Sequence, residues 1–365
     1  MKFTVDQEVI KDVLKKMSKL LNGKSSIPIY SGVLVQTRED CILFTGSDGT
    51  ESMIHRVPVA DGIAGVDAVG SSVFLKDCLE VAKKLKGLIT FEVTNTSLMI
   101  TQDKTELSYG VLEASDYPKV AVEPNSEPIV FTGQEFKELV NKTAFAASTS
   151  EVRPILTGIN MKFTPEGNVF VATDSHRLGK MQFGESKKEL NITVPSGTLE
   201  YALKSFDLSN EVLVFPSELQ IAFANGNTIL YTRLIEGNFP DTSRLIPTQS
   251  EFSLVLSRQE LLDSLDLLAT MTKNSVVKLS AGTLFIKLSA KGDTSKGSKE
   301  IVFESYDGEE GFDIAFSAKY VSDALQAMTS SSIKIQFNGA MKPFVIEPVG
   351  ETPKELQLIL PVRAA

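Results

Sequence analysis

KFTVDQEVIKDVLKKM (Lys2–Met17), IVFTGQEFKELVNKTAFAA (Ile129–Ala147) and FSLVLSRQELLDSLDLLATM (Phe252–Met271) are three versions of one block. Each is a short apolar run that meets a Gln-Glu pair and continues with helical periodicity. The pairs are Gln7-Glu8, Gln134-Glu135 and Gln259-Glu260, separated by steps of 127 and 125 residues. A period of that size is a domain length, so the chain reads as three related domains. Other echoes keep the offset. Pro28-Ile29-Tyr30-Ser31-Gly32-Val33 answers Pro154-Ile155-Leu156-Thr157-Gly158-Ile159. Ser47-Asp48-Gly49 answers Thr173-Asp174-Ser175, and Val111-Leu112-Glu113 with Tyr117-Pro118 answers Leu234-Ile235-Glu236 with Phe239-Pro240. The expected boundaries are 1–125, 126–248 and 249–365.

Within one repeat the order is strand, helix, about three strands, helix, three strands. In the first copy Ile10, Val13, Leu14, Met17, Leu20 and Leu21 form the buried stripe of a helix over Glu8–Leu21. Lys11, Lys15, Lys16 and Lys19 fall outside the stripe, interrupted only by Asp12. Solvated helices usually mix signs, so this face suggests a surface that meets anions. A second helix, Leu75–Lys86, turns Cys78, Leu79, Ala82 and Leu85 inward and Lys76, Lys83 and Lys84 outward. Strands are expected at Gly32–Thr37, Cys41–Ser47, Ser52–Pro58, Ile89–Val93, Ser97–Thr101 and Glu106–Leu112, with Asp61–Gly70 as a small-residue loop. The second copy turns Phe136, Leu139, Val140 and Thr143 inward and Lys137 and Lys142 outward, and its second helix offers Lys204. The third turns Asp263 and Asp266 outward, with Lys319 on its second helix. Gly292–Lys299 reads as a mobile polar hairpin tip, and Glu355–Arg363 as the last strand of its sheet. Strands grouped in meanders rather than alternating with helices give an α+β class with antiparallel sheets.

The composition is that of a globular protein: 365 residues, 42% hydrophobic and 23% charged. No apolar run approaches a membrane span, and MKFTVDQEV lacks a signal-peptide core, which points to the cytoplasm. Cys41 and Cys78 suggest buried thiols, not a disulfide framework or zinc site. A net charge of −9 argues on average against nucleic acid, yet a binding face can be basic while the rest is acidic. No phosphate loop, dinucleotide fingerprint or metal-ligand spacing is present, so no cofactor and no metal are expected. Asp174-Ser175-His176 invites a hydrolase reading. Neighbours on a strand point to opposite faces, whereas a triad needs converging side chains. The chain reads as a protein without an active site.

VATDSHRL (Val171–Leu178) resembles the signature of the bacterial sliding clamps, the β subunits of the replicative DNA polymerase (DNA polymerase III). SEVRPILTGIN (Ser150–Asn160), ASDYP (Ala114–Pro118), EGNFPD (Glu236–Asp241), RLIP (Arg244–Pro247) and LILPVR (Leu358–Arg363) agree, in order, over the whole chain. The resemblance implies three tandem clamp domains, with sheets outside and two helices per domain inside. It further implies a head-to-tail homodimeric ring around double-stranded DNA, which the basic helix faces meet without reading sequence. Lys11, Lys15, Lys19, Lys24, Lys76, Lys83 and Arg153 are the expected phosphate contacts. It also implies a cleft for linear motifs of the replicative polymerase, the clamp loader and other clamp-motif proteins. The expected residues are Leu156, Thr173, Ser175, His176, Arg177, Leu178, Pro240, Arg244, Leu245, Leu358, Leu360, Pro361, Val362 and Arg363. Many family members carry an apolar residue after that arginine, where this chain has Ala364-Ala365. Leu107 and Tyr109 are expected to meet Leu268 and Met271 across the dimer interface. The competing readings are a three-domain protein-binding scaffold that does not bind DNA and a hydrolase using Asp174 and His176. The lysine faces favour the clamp, because a scaffold has no need of them.

Overall fold

The structure, a computed structural model, describes residues 1–22, 27–119, 127–247, 249–272, 275–308, 310–350 and 354–363. The first repeat runs β1 (Lys2–Asp6), α1 (Gln7–Leu21), β2 (Gly32–Thr37), β3 (Cys41–Ser47), β4 (Glu51–Pro58), β5 (Ile63–Ala68), β6 (Gly70–Leu75), α2 (Lys76–Ala82), β7 (Leu88–Thr94), β8 (Ser97–Gln102) and β9 (Thr105–Gly110). The second runs β10 (Ile129–Phe131), α3 (Gly133–Thr143), β11 (Gly158–Phe163), β12 (Asn168–Thr173), β13 (Arg177–Phe183), β14 (Leu190–Pro195), α4 (Ser196–Ser205), β15 (Val212–Pro216), β16 (Gln220–Asn225) and β17 (Thr228–Arg233). The third runs β18 (Phe252–Ser257), α5 (Arg258–Ala269), β19 (Val276–Ala281), β20 (Phe285–Lys291), β21 (Lys296–Val302), β22 (Ser305–Asp307), β23 (Asp313–Ser317), α6 (Ala318–Ala327), β24 (Ser332–Phe337), β25 (Phe344–Pro348) and β26 (Lys354–Ile359).

The recurring Gln-Glu pair has a local cause. Each pair sits in the first turn of a helix, behind a capping residue. The Asp6 carboxylate accepts from Glu8 N at 2.9 Å, and Ser257 Oγ accepts from Glu260 N at 3.3 Å. Thr132 and Glu135 form a reciprocal capping box: Thr132 Oγ1 accepts from Glu135 N at 3.2 Å, and a Glu135 carboxylate oxygen accepts from Thr132 N at 2.8 Å. The acidic side chain also meets the positive end of the helix dipole. All six apolar residues expected inside α1 are buried, as are Phe136, Leu139, Val140 and Thr143 of α3.

Three sequence repeats fold into two compact units. Unit 1 is Met1–Lys137 with Thr198–Leu234, and unit 2 is Glu138–Gly197 with Ile235–Ala365. The middle repeat is divided because its strands extend two different sheets. In unit 1, β10-β15-β16-β17 continue into β4-β3-β2-β6, and a second sheet has the order β5-β1-β7-β8-β9. In unit 2, β14-β11-β12-β13 continue into β26-β25-β24-β18-β22, and a second sheet has the order β21-β20-β19-β23. Each junction is antiparallel, β4 with β17 and β13 with β26, and each closes two strand edges that would otherwise template aggregation. In unit 1, α1 packs beside α2 and against β1, β3 and β4; in unit 2, α5 and α6 pack side by side. Phe3, Phe74 and Phe91 stack in one core of unit 1, and Phe136 meets Phe206 and Phe223 in another. Leu256, Leu265, Val277, Ile314, Leu325 and Phe337 belong to the core of unit 2.

Several expectations are corrected. Asp61–Gly70 is not a loop: β5 fills most of it, paired to β1 across two register irregularities, and β6 begins at Gly70. Backbone pairing at a sheet edge does not require alternating apolar side chains. β14, paired to β11, is a further strand not expected from the sequence, although Leu190, Ile192 and Val194 do alternate with polar residues. α2 ends at Ala82, so Leu85 is half-buried rather than core. The strand at the C-terminus is last in sequence but interior to its sheet, between β13 and β25. The 292–299 tip is shorter than expected, because Lys296–Lys299 pair in β21. Lys142 is not outward. Its side chain is 4% exposed, forms an ion pair with the fully buried Glu355 of β26, and lies 3.8 Å from Glu138. Helical spacing places Lys142 one position beside the buried stripe, and only the arrival of β26 over that face covers it.

Candidate peptide cleft and basic helix faces

β12 and β13 are joined by a turn over Thr173–Arg177 whose polar atoms are committed to its own backbone. Thr173 Oγ1 donates to Arg177 O at 2.7 Å and accepts from Ser175 N at 3.2 Å. Asp174 Oδ1 accepts from His176 N at 2.8 Å and Arg177 N at 3.0 Å. Ser175 takes a positive φ of 78°, a conformation costing about 1–2 kcal/mol for a residue with a Cβ. This wiring removes the hydrolase geometry. Asp174 binds the backbone of His176 and the guanidinium of Arg177, and the His176 ring instead stacks on Tyr320 at 6.2 Å. Arg177 is 9% exposed; its Nη1 donates to Asp323 at 2.5 Å, and its guanidinium lies 4.7 Å from the Tyr320 ring centre. Sequence reasoning missed Tyr320 and Asp323 on α6 and Phe145 in the 3-10 turn Ala144–Ala146 that follows α3, which together hold this arginine; no local motif announces them.

Behind the turn is an apolar cluster. Leu178 and Leu358 are register partners on β13 and β26, and they pack with Val171 and Val345. Phe239, Ile246 and Leu360 cover the cluster while remaining partly open, and Leu360 N donates to His176 O at 2.9 Å. Val362 N donates to Ala315 O at 2.8 Å, which ties down the segment after β26. Pro240, Arg244 and Leu245 are exposed, Leu245 by 52%, and Pro361 is half-buried beside exposed Arg363. Leu156 is buried in a short 3-10 turn, Pro154–Thr157. Arg153 points at Ser175 Oγ at 3.4 Å, bringing an expected phosphate contact to the edge of this turn. Val345, Phe239 and Ile246 are cleft residues the sequence reading omitted. Phe239 and Ile246 lay inside the quoted EGNFPD and RLIP motifs, whereas Val345 needed the β25–β26 register. The surface so built has aliphatic walls and a rim of exposed polar groups, the chemistry of a short-peptide site. Among the described residues no group of three or more His, Cys, Asp or Glu could hold a metal ion.

Three family models match in order: the DNA polymerase III beta subunit N-terminal domain over residues 1–121, the central domain over 131–241 and the C-terminal domain over 243–363. The beta sliding clamp of Bacillus subtilis is 35% identical over 380 aligned positions covering all of both chains. The chain belongs to the DNA polymerase III beta subunit family. The beta sliding clamp of Staphylococcus aureus is 32% identical, covering all of this chain and 99% of its own. The crystal structure of the B. subtilis DNA polymerase sliding clamp superposes with a TM-score of 0.95 at 32% identity, and the Streptococcus pyogenes beta subunit with 0.94 at 27%, each over the full length of both chains. As a member of the sliding clamps, the protein is three tandem clamp domains and a non-enzymatic processivity factor.

The basic faces of this sliding clamp are partly neutralised within the chain. Lys11 pairs with Glu8 at 2.6 Å, Lys19 with Glu51 at 2.6 Å, and Lys83 with Glu80. Lys19 also lies 5.1 Å from the Tyr201 ring centre, and Lys76 donates to Asn22. Lys15 is exposed with no ion-pair partner among the described residues. Lys24 lies outside the described residues, as do Ala364 and Ala365. Lys137 and Lys204 are exposed, and so are Asp263 and Asp266 of α5; Lys319 is held by Asp323 at 2.9 Å. Of the expected interface residues, Leu107 and Tyr109 share one half-buried face of β9, the open edge of its sheet. Leu268 is 1% exposed in the core of unit 2, with Met271 packed against that core below the open edge strand β21. Cys41 and Cys78 are buried free thiols, and burial pushes the Cys78 thiol up to about 12.

Proposed function

We propose that two copies of this chain join head to tail around duplex DNA and hold DNA polymerases and other partners on it by linear motifs bound in the β13–β26 cleft. The full-length match to the B. subtilis beta sliding clamp carries this reading. The three domains are 1–125, 126–248 and 249–365, consistent with the three family matches. Enclosure retains the ring, so phosphate contact need only be weak, and the internal pairing of Lys11, Lys19 and Lys83 suits that requirement. The DNA-facing groups are those named from the helix faces, with Lys15 the least neutralised. Edge strand β9 pairs with edge strand β21 of the second copy. Exposed Glu106 on β9 and exposed Lys296 and Lys299 on β21 supply opposite charges for that pairing. Leu107 and Tyr109 then pack near Met271, while Leu268 supports the interface from beneath. The cleft takes an apolar peptide anchored on Leu178, Leu358 and Leu360, with His176, Arg244 and Arg363 at its rim. A clamp loader opens the ring, and the protein works in the cytoplasm with the nucleoid.

Light scattering across a dilution series tests the assembly: a mass near twice the 39.8 kDa chain is expected. Loader-dependent retention on circular DNA, lost on linearisation, tests enclosure. A stable monomer that neither loader nor DNA converts to a dimer refutes the ring and favours the scaffold.

A further inference from the structure

The cleft in unit 2 has a structural duplicate in unit 1 whose chemistry differs. A pocket of ≈ 190 Å³ lies where β4 meets β17, beside the 3-10 turn Pro28–Ser31. Its framework repeats the unit 2 turn bond for bond. Ser47 Oγ donates to Glu51 O at 2.9 Å and accepts from Gly49 N at 3.1 Å, as Thr173 does with Arg177 and Ser175. Asp48 Oδ1 accepts from Thr50 N and Glu51 N, both at 2.8 Å, as Asp174 does from His176 and Arg177. Gly49 and Ser175 share positive φ, at 94° and 78°. Ser31 Oγ donates to Pro28 O and Thr157 Oγ1 to Pro154 O, each at 2.7 Å.

The strand registers extend the correspondence. Tyr231 pairs with Ser52 as Leu358 pairs with Leu178, which makes Arg233 the counterpart of Leu360. Eight of the eleven residues lining the pocket thus stand at positions equivalent to residues named for the unit 2 cleft, so the pocket is a second copy of that site rather than a chance hollow. The substitutions run in one direction. Leu178 is answered by Ser52, Leu358 by Tyr231, Leu360 by Arg233, and Asp241 of the motif FPD by Lys119 of YPK. Apolar walls have become hydroxylic, and a carboxylate has been exchanged for an ammonium. Lys119 and Arg233 are exposed, have no ion-pair partner among the described residues, and no acidic side chain lines the pocket.

We propose that this unit 1 pocket binds an extended acidic peptide segment, its carboxylates held by Lys119 and Arg233 and its backbone by the hydroxyl-lined wall. The inference rests on the reading of the unit 2 cleft as a peptide site for the kind of ligand, and on the pocket itself for its charge. Two cations suit carboxylates, and a guanidinium can bind one through two parallel hydrogen bonds. Duplex DNA would need a longer basic track. Single strands would need exposed aromatic faces, whereas Tyr30 and Tyr231 are buried.

The test is fluorescence anisotropy with the full-length protein and a labelled Gly-Ser peptide carrying two adjacent glutamates. The same peptide with both changed to glutamine is the control. Binding of the glutamate peptide should weaken roughly tenfold or more in K119E/R233E, and in the glutamine peptide by a similar factor. Milder K119Q/R233Q should also weaken it and guards against a folding artefact. Equal titrations for the wild-type and K119Q/R233Q proteins, equal titrations for the two peptides, or no binding would overturn the proposal. So would a short DNA duplex that displaces the peptide and itself loses binding in K119E/R233E. A leucine- and phenylalanine-rich peptide, weakened by L245A, reports separately on unit 2. If only that peptide binds, the unit 2 peptide reading stands and this inference falls; if only the acidic peptide binds, the unit 1 site stands on its own charge and the unit 2 peptide reading falls.

Discussion

Replacing Lys142 by methionine should be among the most destabilising single changes in unit 2. The side chain stays unbranched and of similar bulk, one atom shorter, but loses its ammonium, which sits 4% exposed against Glu355, itself fully buried. The backbone around the pair is equally confined: Gln357 Nε2 donates to Lys142 O at 3.2 Å, and a Cβ on Gly179 would lie 2.8 Å from that same oxygen. There is little room for the Glu355 carboxylate to turn toward water. Removing one partner of a buried pair costs about 3–5 kcal/mol, because the other charge stays desolvated. Removing both and filling the space with apolar groups is often neutral or stabilising. K142M should therefore lower the urea midpoint strongly, followed by circular dichroism because the chain has no tryptophan. K142M/E355L should recover most of the loss. The recovery distinguishes a buried charge from lost packing, since a packing defect would grow in the double variant. A K142M protein within about 1 kcal/mol of wild type, the value of an exposed pair, would refute the reasoning, and so would a double variant weaker than either single one.

Three further outcomes are expected. Asp12 is held down to about 2 from its ordinary value of 3.8, chiefly by its hydrogen bond with His55 and also by Lys16, against the opposing effect of burial. A depressed carboxylate contributes stability that is present above pH 3.8 and lost as pH falls through about 2. D12N should accordingly flatten that part of a melting-temperature profile, and parallel profiles would contradict it. Gly133→Ala would place a Cβ 2.0 Å from Leu208 O and should destabilise by roughly 1–3 kcal/mol, read as a lowered denaturation midpoint; an unchanged midpoint would mean that the loop yields freely. If Lys15 meets phosphate, K15A should reduce the salt-dependence slope of DNA binding by about 0.9, and an unchanged slope would remove it from the contact set.

Much of the framework was legible because its signals are local. The α1 stripe from Ile10 to Leu21, the capped Gln-Glu starts and the hairpin around Asn95 follow from periodicity and backbone preference, which act within a few residues. β5 and β6 were not legible, since their pairing is made by backbone groups and leaves no side-chain alternation; β14 does carry a local signal, the alternation of Leu190, Ile192 and Val194 with polar residues, which the sequence reading passed over. The cleft was half legible. Its motifs marked Thr173–Leu178 and Leu358–Arg363, but Val345 joined it through a strand register, and Arg177 became a buried structural cation through Asp323 and Tyr320.

By itself the sequence determined the three repeats, their α+β class and the family. Duplication leaves its mark residue by residue, and caps and stripes are short-range. Tertiary structure decided that three repeats make two compact units, because which strand edges meet is a choice between distant segments. It also decided that Lys142 faces Glu355 and not solvent, and that Ser52, Tyr231 and Arg233 line one pocket. Burial and electrostatic partnership depend on what arrives from elsewhere in the chain, which no local pattern encodes.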